Sequence, residues 1–217
     1  MKPENKQLLI AGAAELGVQL SEFQAGLVDA YLSHLDKWAA KMNLTAVKGE
    51  RERVVKLVLD SLALAPLLDQ GMRVADVGSG AGLPGLPVKI ARPDLYMTLI
   101  ESRRKRADFL GEVERRLGLQ GLTVFAGRAE EYKDAPFDAA LVRAVGRLGE
   151  LALPCRKLVK QGGLVLAMKG PAPEKEIAED DAQIQKTGFR IKELKHYRLP
   201  DGAGGRSIVV MEKTRSR

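Results

Sequence analysis

The 217-residue sequence predicts an α/β fold: a helical N-terminal extension over residues 1–70, then, over 71–217, a seven-stranded, mostly parallel sheet that ends in an antiparallel hairpin. Three observations predict it. Up to residue 70 the apolar residues recur at helical spacing. From Met72 onward, short strand-like runs alternate with helical stretches, the pattern of a parallel sheet. The first of those runs leads straight into a glycine-rich turn, Gly78-Ser79-Gly80-Ala81-Gly82.

Taken in order, residues 4–18 read as a helix through Leu8, Leu9, Ala11, Leu16 and Val18, with Gly17 suited to its end. Ser21 with Gln24 three residues on forms a capping box, so a second helix starts there. Phe23, Leu27, Ala30, Tyr31, Leu35 and Trp38 give it one apolar stripe to about Met42. After the Asn43-Leu44-Thr45 break, a third helical piece runs from Glu50 through Val54, Val55, Leu57, Val58 and Leu59, and on over 61–68. Strands follow over 73–77, 97–100, 122–126, 138–142 and 164–168, the last entered through a Gly162-Gly163 turn. Ser102 is placed to cap a helix over 103–117, closed by Gly118; further helices fall at about 148–159 and 174–187. Two alternating runs, 189–197 and 207–212, close the sheet around a glycine-rich turn at 201–205.

Composition narrows the class. Thirty-five Lys and Arg against 28 Asp and Glu give a net charge of +7, which favours a polyanionic partner such as nucleic acid or membrane headgroups. The single cysteine, Cys155, excludes an intramolecular disulfide and a cysteine metal site. His34 and His196 stand far apart with no ligand spacing, so no metal is expected. No run is long and apolar enough for a membrane span, and no signal peptide is visible, so a soluble cytoplasmic protein is expected.

The glycine loop carries two overlapping motifs. Gly80-Ala81-Gly82-Leu83-Pro84-Gly85 is a literal G-x-G-x-x-G, the dinucleotide fingerprint. Asp76-x-Gly78-x-Gly80-x-Gly82 resembles motif I of the class I S-adenosylmethionine (SAM) methyltransferases, whose loop wraps the amino-acid part of SAM above an acid. Pro84 favours the second frame. A dinucleotide loop presents helix-end N–H groups to a pyrophosphate, and a proline removes one donor. SAM carries no phosphate.

In such sheets, ligands bind beyond the carboxyl ends of the strands. Strand one delivers Asp76, Gly78, Gly80 and Gly82; strand two delivers Glu101, an acid able to accept both hydroxyls of a ribose. Strand three delivers Ala129 and Glu130, strand four Arg143 and Ala144, strand five Lys169, Gly170 and Pro171. An arginine at the end of the apolar run 139–142 needs a partner. Two cations on adjacent strand ends point to a site for an anion or for carbonyl-rich bases.

His34-Leu35-x-x-Trp38, Asn43-Leu44-Thr45, Leu59-Asp60-Ser61-Leu62, the 76–85 loop, Arg92-Pro93, Glu101-Ser102-x-x-Lys105-Arg106 and Met168-Lys169-Gly170 occur in one order. Together they resemble the RsmG (GidB) family of ribosomal RNA small subunit methyltransferases. The resemblance implies a Rossmann-like class I SAM-dependent methyltransferase fold, SAM as cofactor, the small ribosomal subunit as partner, and methylation of N7 of a guanine in 16S rRNA. It also implies roles. Gly78 and Leu83 contact SAM from the loop; Glu101, Ser102 and Arg103 lie along the ribose and adenine; Ala129 and Glu130 hold the adenine. Arg143 is the arginine of the active-site edge. One departure is visible: the family often reads Ser-Arg-Ala where this chain has Val142-Arg143-Ala144.

Guanine N7 already has a lone pair, so no general base is needed and catalysis is mainly positioning. Arg143 and Lys169 are the catalytic candidates, as donors to guanine O6 or to a phosphate. RNA contact is expected from two basic clusters: Lys37, Lys41, Lys48, Arg51, Arg53 and Lys56, and Arg103, Arg104, Lys105, Arg106, Arg115 and Arg116. Two other readings stay open on the sequence: a nicotinamide (NAD)-dependent oxidoreductase using the 80–85 loop, and a non-catalytic rRNA-binding protein that keeps SAM as a structural ligand.

Overall fold

A computed structural model describes residues 1–39, 42–143 and 146–214. Two helices open the chain, α1 (Pro3–Glu15) and α2 (Glu22–Ala39). The capping box forms at α2: Ser21 N–H donates to Gln24 Oε1 (2.9 Å) and Gln24 N–H to Ser21 Oγ (3.2 Å). Phe23 leaves the expected stripe and is 74% exposed, while Ala25, Val28, Tyr31, Leu32 and Leu35 are buried. The third helical piece is composite: α3 (Glu50–Arg53), a π-helical turn Val54–Leu59, α4 (Asp60–Leu62) and a 3₁₀ turn Ala65–Leu67. Val54, Val55, Leu57, Val58 and Leu59 are all buried, more than one face of a surface helix hides.

The sheet follows as β1 (Arg73–Val77), β2 (Tyr96–Glu101), β3 (Leu122–Ala126), β4 (Phe137–Val142), β5 (Val159–Lys169), β6 (Phe189–Arg198) and β7 (Gly205–Lys213). Its helices are α5 (Gly85–Ala91), α6 (Arg104–Leu117), α7 (Leu148–Leu158) and α8 (Glu174–Lys186). The strand order is β3-β2-β1-β4-β5-β7-β6. The first five strands are parallel, and β7 and β6 complete the sheet antiparallel, as expected.

Two local expectations change. β5 starts at Val159 rather than 164, and Gly162-Gly163 lies inside it, opposite the register shift between Phe137 and Ala139 of β4. Gly162 takes a left-handed φ of 75° in this bulge, and a Cβ at Gly163 would stand 2.7 Å from the Asp138 carbonyl oxygen, so the pair serves both a local turn of the chain and a close backbone approach. Ser102 does not cap α6. The N-cap residue is Arg103, without a side-chain cap bond, and its N–H donates to Glu101 Oε1 (2.7 Å).

One apolar core joins the N-terminal helices to a face of the sheet: Leu9, Val28, Tyr31 and Leu59 pack with Leu86, Leu99, Phe109 and Leu141. The other face packs Ile100, Ala140 and Val142 against Leu148, Ala152 and Cys155 of α7 and Ile184 of α8. Among the described residues no helix is long and apolar enough to cross a membrane.

Candidate active site

The site is built at the carboxyl edge of the sheet, beginning with Asp76. Its side chain is fully buried beneath the glycine loop, and Oδ2 accepts the Gly85 N–H (3.0 Å). Its Oδ1 has no partner among the described residues. Burial, opposed first by that N–H and also by Ser79 and the Arg143 charge, pushes the carboxyl up to about 7. The loop above folds back on β2, with the Gly78 and Ser79 N–H groups both donating to the Ile100 carbonyl (2.9 and 3.1 Å). Gly78, Gly80 and Gly82 adopt left-handed φ of 73°, 56° and 87°, a conformation that side chains resist. From behind, the buried Tyr31 hydroxyl of α2 donates to the Ala81 carbonyl (2.7 Å).

Glu101 closes the next position. It is 4% exposed, and Oε2 accepts the Gly80 N–H (2.9 Å), so the end of β2 is tied to the loop. Ser102 and Arg103 follow as exposed residues. After β3, a 3₁₀ turn, Ala129–Glu131, buries Ala129 and exposes Glu130.

On β4 and β5 the two predicted cations prove to be held. Arg143 turns toward the π-helical turn: Nη2 donates to the Lys56 carbonyl (2.6 Å) and lies 3.1 Å from Asp60 Oδ2, and Nη1 is 3.4 Å from Leu57 O and Ser61 Oγ. Asp60 Oδ1 in turn accepts the Tyr197 hydroxyl of β6 (2.7 Å). Lys169, with its side chain 9% exposed, donates to Glu176 Oε1 (2.7 Å) and the Gly146 carbonyl (2.5 Å). Both cations line one cavity of about 380 Å³ with Lys56, Asp60, Met168, Gly170 and Arg206. Ala144 lies outside the described residues.

Asp76, the glycine loop and Glu101 thus form one hydrogen-bonded unit, with Ala129 and Glu130 at the neighbouring strand end and Arg143 and Lys169 across β4 and β5. The unit fits SAM. A Cβ at Gly78 would meet nothing within 4 Å, so the loop leaves room for an extended ligand. Glu101 keeps spare acceptor capacity for hydroxyls. A larger cavity, about 740 Å³, opens at the opposite edge around Arg73, Tyr96 and Thr98 and contains none of these residues.

The basic clusters separate. Arg51 pairs bidentately with Asp201, Arg53 pairs with Asp36, and Lys56 pairs with Glu52 (3.1 Å); Lys41 lies outside the described residues. In the second cluster, Arg104 pairs with Asp108 (3.1 Å). Cys155 is fully buried, and burial pushes its thiol up to about 12, so it is inert as a nucleophile. His34 stacks on Phe109, and His196 lies beside Glu174 and Ser207. Among the described residues no group of three or more His, Cys, Asp or Glu is arranged to hold a metal ion. Sequence reasoning passed over Tyr31 and Tyr197, and assigned no role to Asp60 although it stands in the Leu59-Asp60-Ser61-Leu62 motif.

Residues 24–203 match the family described as rRNA small subunit methyltransferase G. A protein of Symbiobacterium thermophilum named ribosomal RNA small subunit methyltransferase G is 42% identical, covering 96% of this chain and 89% of its own. One of the same name from Acetivibrio thermocellus is 37% identical over 97% and 89%. Among solved structures, P. horikoshii TYW2 in complex with MeSAdo superposes with a TM-score of 0.60 at 15% identity, covering 74% of this chain and 63% of that one. M. jannaschii TYW2 in complex with AdoMet gives 0.56 at 14%, covering 70% and 73%. At such identities these structures support the fold alone.

Proposed function

The chain belongs to the rRNA small subunit methyltransferase G (GidB) family, and from that premise we propose that it transfers the methyl group of SAM to N7 of a guanine in 16S rRNA. The small ribosomal subunit or its RNA is then the partner, and the cytoplasm the site of action. One juxtaposition supports this reading. The Asp76–glycine loop–Glu101 unit, suited to a nucleoside, shares a sheet edge with the cation-lined cavity of Arg143, Lys169 and Arg206.

In this reading SAM, when bound, supplies a methyl group on a positively charged sulfur. The chain supplies position. Glu101 accepts the ribose hydroxyls, with Ser102 and Arg103 beside it. Ala129 and Glu130 hold the adenine. Gly78, Gly80, Gly82 and Leu83 enclose the amino-acid end above Asp76. Guanine N7 and O6 share one edge of the base. An arginine gripping both atoms would cover the lone pair that must react, so Arg143 donates to O6 alone. It stays in that place because Asp60 and the Lys56 carbonyl hold its other face. Lys169 acts one step back, fixing the end of β5 through Glu176 and Gly146. No group needs to take a proton, since N7 has none to lose. Residues 71–217 carry the SAM unit, and the helices of 1–70 add Lys56 and Asp60 to the cavity beside it.

The test is to incubate the protein with methyl-labelled SAM and 16S rRNA or 30S subunits that lack the modification, then map the label by cleavage at 7-methylguanosine. A single labelled guanine N7 is the expected result. Label at another atom, or none on either substrate, refutes the reading. Binding of NAD(H) in place of SAM would restore the oxidoreductase alternative.

A further inference from the structure

We propose that the edge end of the β6–β7 hairpin is a phosphate-binding shelf that receives the RNA backbone next to the target guanine, with Arg198 as its ligand; this rests on the rRNA reading above. Topology places the shelf. β7 runs antiparallel to β5, so Ser207 pairs with Lys169 at the carboxyl edge of the sheet. β6 runs antiparallel to β7, so its last residues, His196 to Arg198, return to the same edge opposite Gly205–Ser207. The active-site edge therefore continues past β5 onto the hairpin.

A concavity of about 350 Å³ lies there, lined by Pro171, His196, Tyr197, Arg198, Gly205 and Arg206. It abuts the cavity of Arg143 and Lys169, and Arg206 is a wall of both. Arg206 Nη1 donates to its neighbour's carbonyl, Gly205 O (2.8 Å). Arg198 is exposed, and its guanidinium has no carboxylate or carbonyl partner among the described residues. The other hairpin cations are engaged: Arg190 and Lys192 both bind Glu212 (2.6 and 2.9 Å), and Lys195 lies 3.4 Å from Glu193. The acid facing the shelf, Glu174, is taken up by His196 Nε2 (3.3 Å), and His196 Nδ1 meets Ser207 Oγ (3.0 Å). Among the described residues Arg198 thus stands as an unengaged planar donor beside the active-site cavity, the chemistry that grips a phosphate. By contrast, Arg115 and Arg116 sit in the last turn of α6, whose first turn follows the carboxyl end of β2. They stand at the far end of that helix from the edge.

The experiment measures binding of a fluorescent 16S rRNA fragment containing the target guanine, across a range of salt concentrations, together with SAM binding. Arg198→Gln is expected to weaken RNA binding about tenfold at low salt and to lower the log–log salt slope by about 1. Arg198→Lys, which keeps the charge, restores the slope, and SAM affinity stays unchanged. Arg116→Gln, an equal loss of charge, leaves the slope as in the wild type. An unchanged slope in Arg198→Gln, or the same change in Arg116→Gln, overturns the shelf. A loss confined to assembled subunits assigns the surface to a ribosomal protein and also overturns it. Failure of the wild type to methylate any guanine N7 refutes the underlying reading; methylation with an unaltered Arg198→Gln slope removes the shelf alone.

Discussion

Arg143 Nη2 lies 3.1 Å from Asp60 Oδ2, and that pair joins the end of β4 to the helices that precede the sheet. The other oxygen of Asp60 holds the Tyr197 hydroxyl of β6 (2.7 Å), and burial together with the neighbouring carboxylate drives the Tyr197 phenol above its ordinary range. One carboxylate, 6% exposed, thereby fixes three parts of the active-site edge. Removing it leaves a guanidinium without its countercharge and a hydroxyl without its acceptor. Asp60→Ala should lower the unfolding free energy by about 2–3 kcal/mol, less than for a fully buried pair, because Arg143 is partly exposed and keeps the Lys56 carbonyl. Asp60→Asn, which keeps shape and an acceptor, should cost less. Urea denaturation measures both. Methyl transfer to rRNA should fall further than SAM affinity in Asp60→Asn, because the pair lies on the side of the edge away from Glu101. Equal losses in both would argue against the division of roles.

The Tyr31 hydroxyl reaches the glycine loop from behind, donating to the Ala81 carbonyl from a fully buried position. Tyr31→Phe keeps the packing and removes only that donor. A buried carbonyl left unpaired costs about 1–3 kcal/mol. The variant should unfold at lower urea concentration and bind SAM several-fold more weakly in calorimetry. A loss of stability with unchanged SAM affinity would limit Tyr31 to the core.

What the sequence revealed and what it hid divide along a physical line. The Ser21–Gln24 cap, the strand run 73–77 and the glycine loop depend on neighbours in the chain, and local chemistry specifies them. The seven strands and their closing hairpin followed from alternation; the order β3-β2-β1-β4-β5-β7-β6 came only with the fold. The partners of Arg143 were not legible. Asp60 stands 83 positions away and Tyr197 lies on the last hairpin, and no local pattern ties such residues together. Lys169 shows the same limit. Its place at a strand end could be read, whereas its commitment to Glu176 depends on where α8 packs. Gly162-Gly163 marks a bulge inside β5 rather than the start of the strand, because a local turn of the chain does not tell whether pairing stops there.

Gly85 and Gly170 separate packing from permissiveness. A Cβ at Gly85 would stand 2.6 Å from Leu99 Cδ2 and 2.7 Å from Asp76 Oδ2, both buried, whereas one at Gly170 would meet nothing within 4 Å. Gly85→Ala should destabilise by about 1–3 kcal/mol through overpacking and weaken SAM binding by displacing Asp76. Gly170→Ala should stay within about 0.5 kcal/mol of the wild type. Thermal melts with and without SAM compare the two. Equal melting temperatures would contradict the packing seen beneath the loop.

Asp76 sets a pH dependence whose sign can be worked out. Its ordinary carboxyl value is 3.8, and burial raises it in the folded protein to about 7. Between those values the folded protein holds a proton that the unfolded chain has released. Stability therefore falls as pH rises through that window. The contribution is complete below about pH 4 and lost once the folded group ionises near 7. Other carboxylates act in the opposite sense. The side-chain bond from Arg92 holds Asp94 down at about 2, so its contribution is lost only in strong acid. The comparison that isolates Asp76 is with Asp76→Asn, which keeps an acceptor for the Gly85 N–H and cannot ionise. Relative to wild type, the variant should gain stability between pH 4 and pH 7, by at most about 4 kcal/mol. Urea denaturation at four values from pH 4 to pH 8 gives the difference directly. Parallel profiles would mean that Asp76 ionises at an ordinary pH, with its orphaned Oδ1 satisfied in solution.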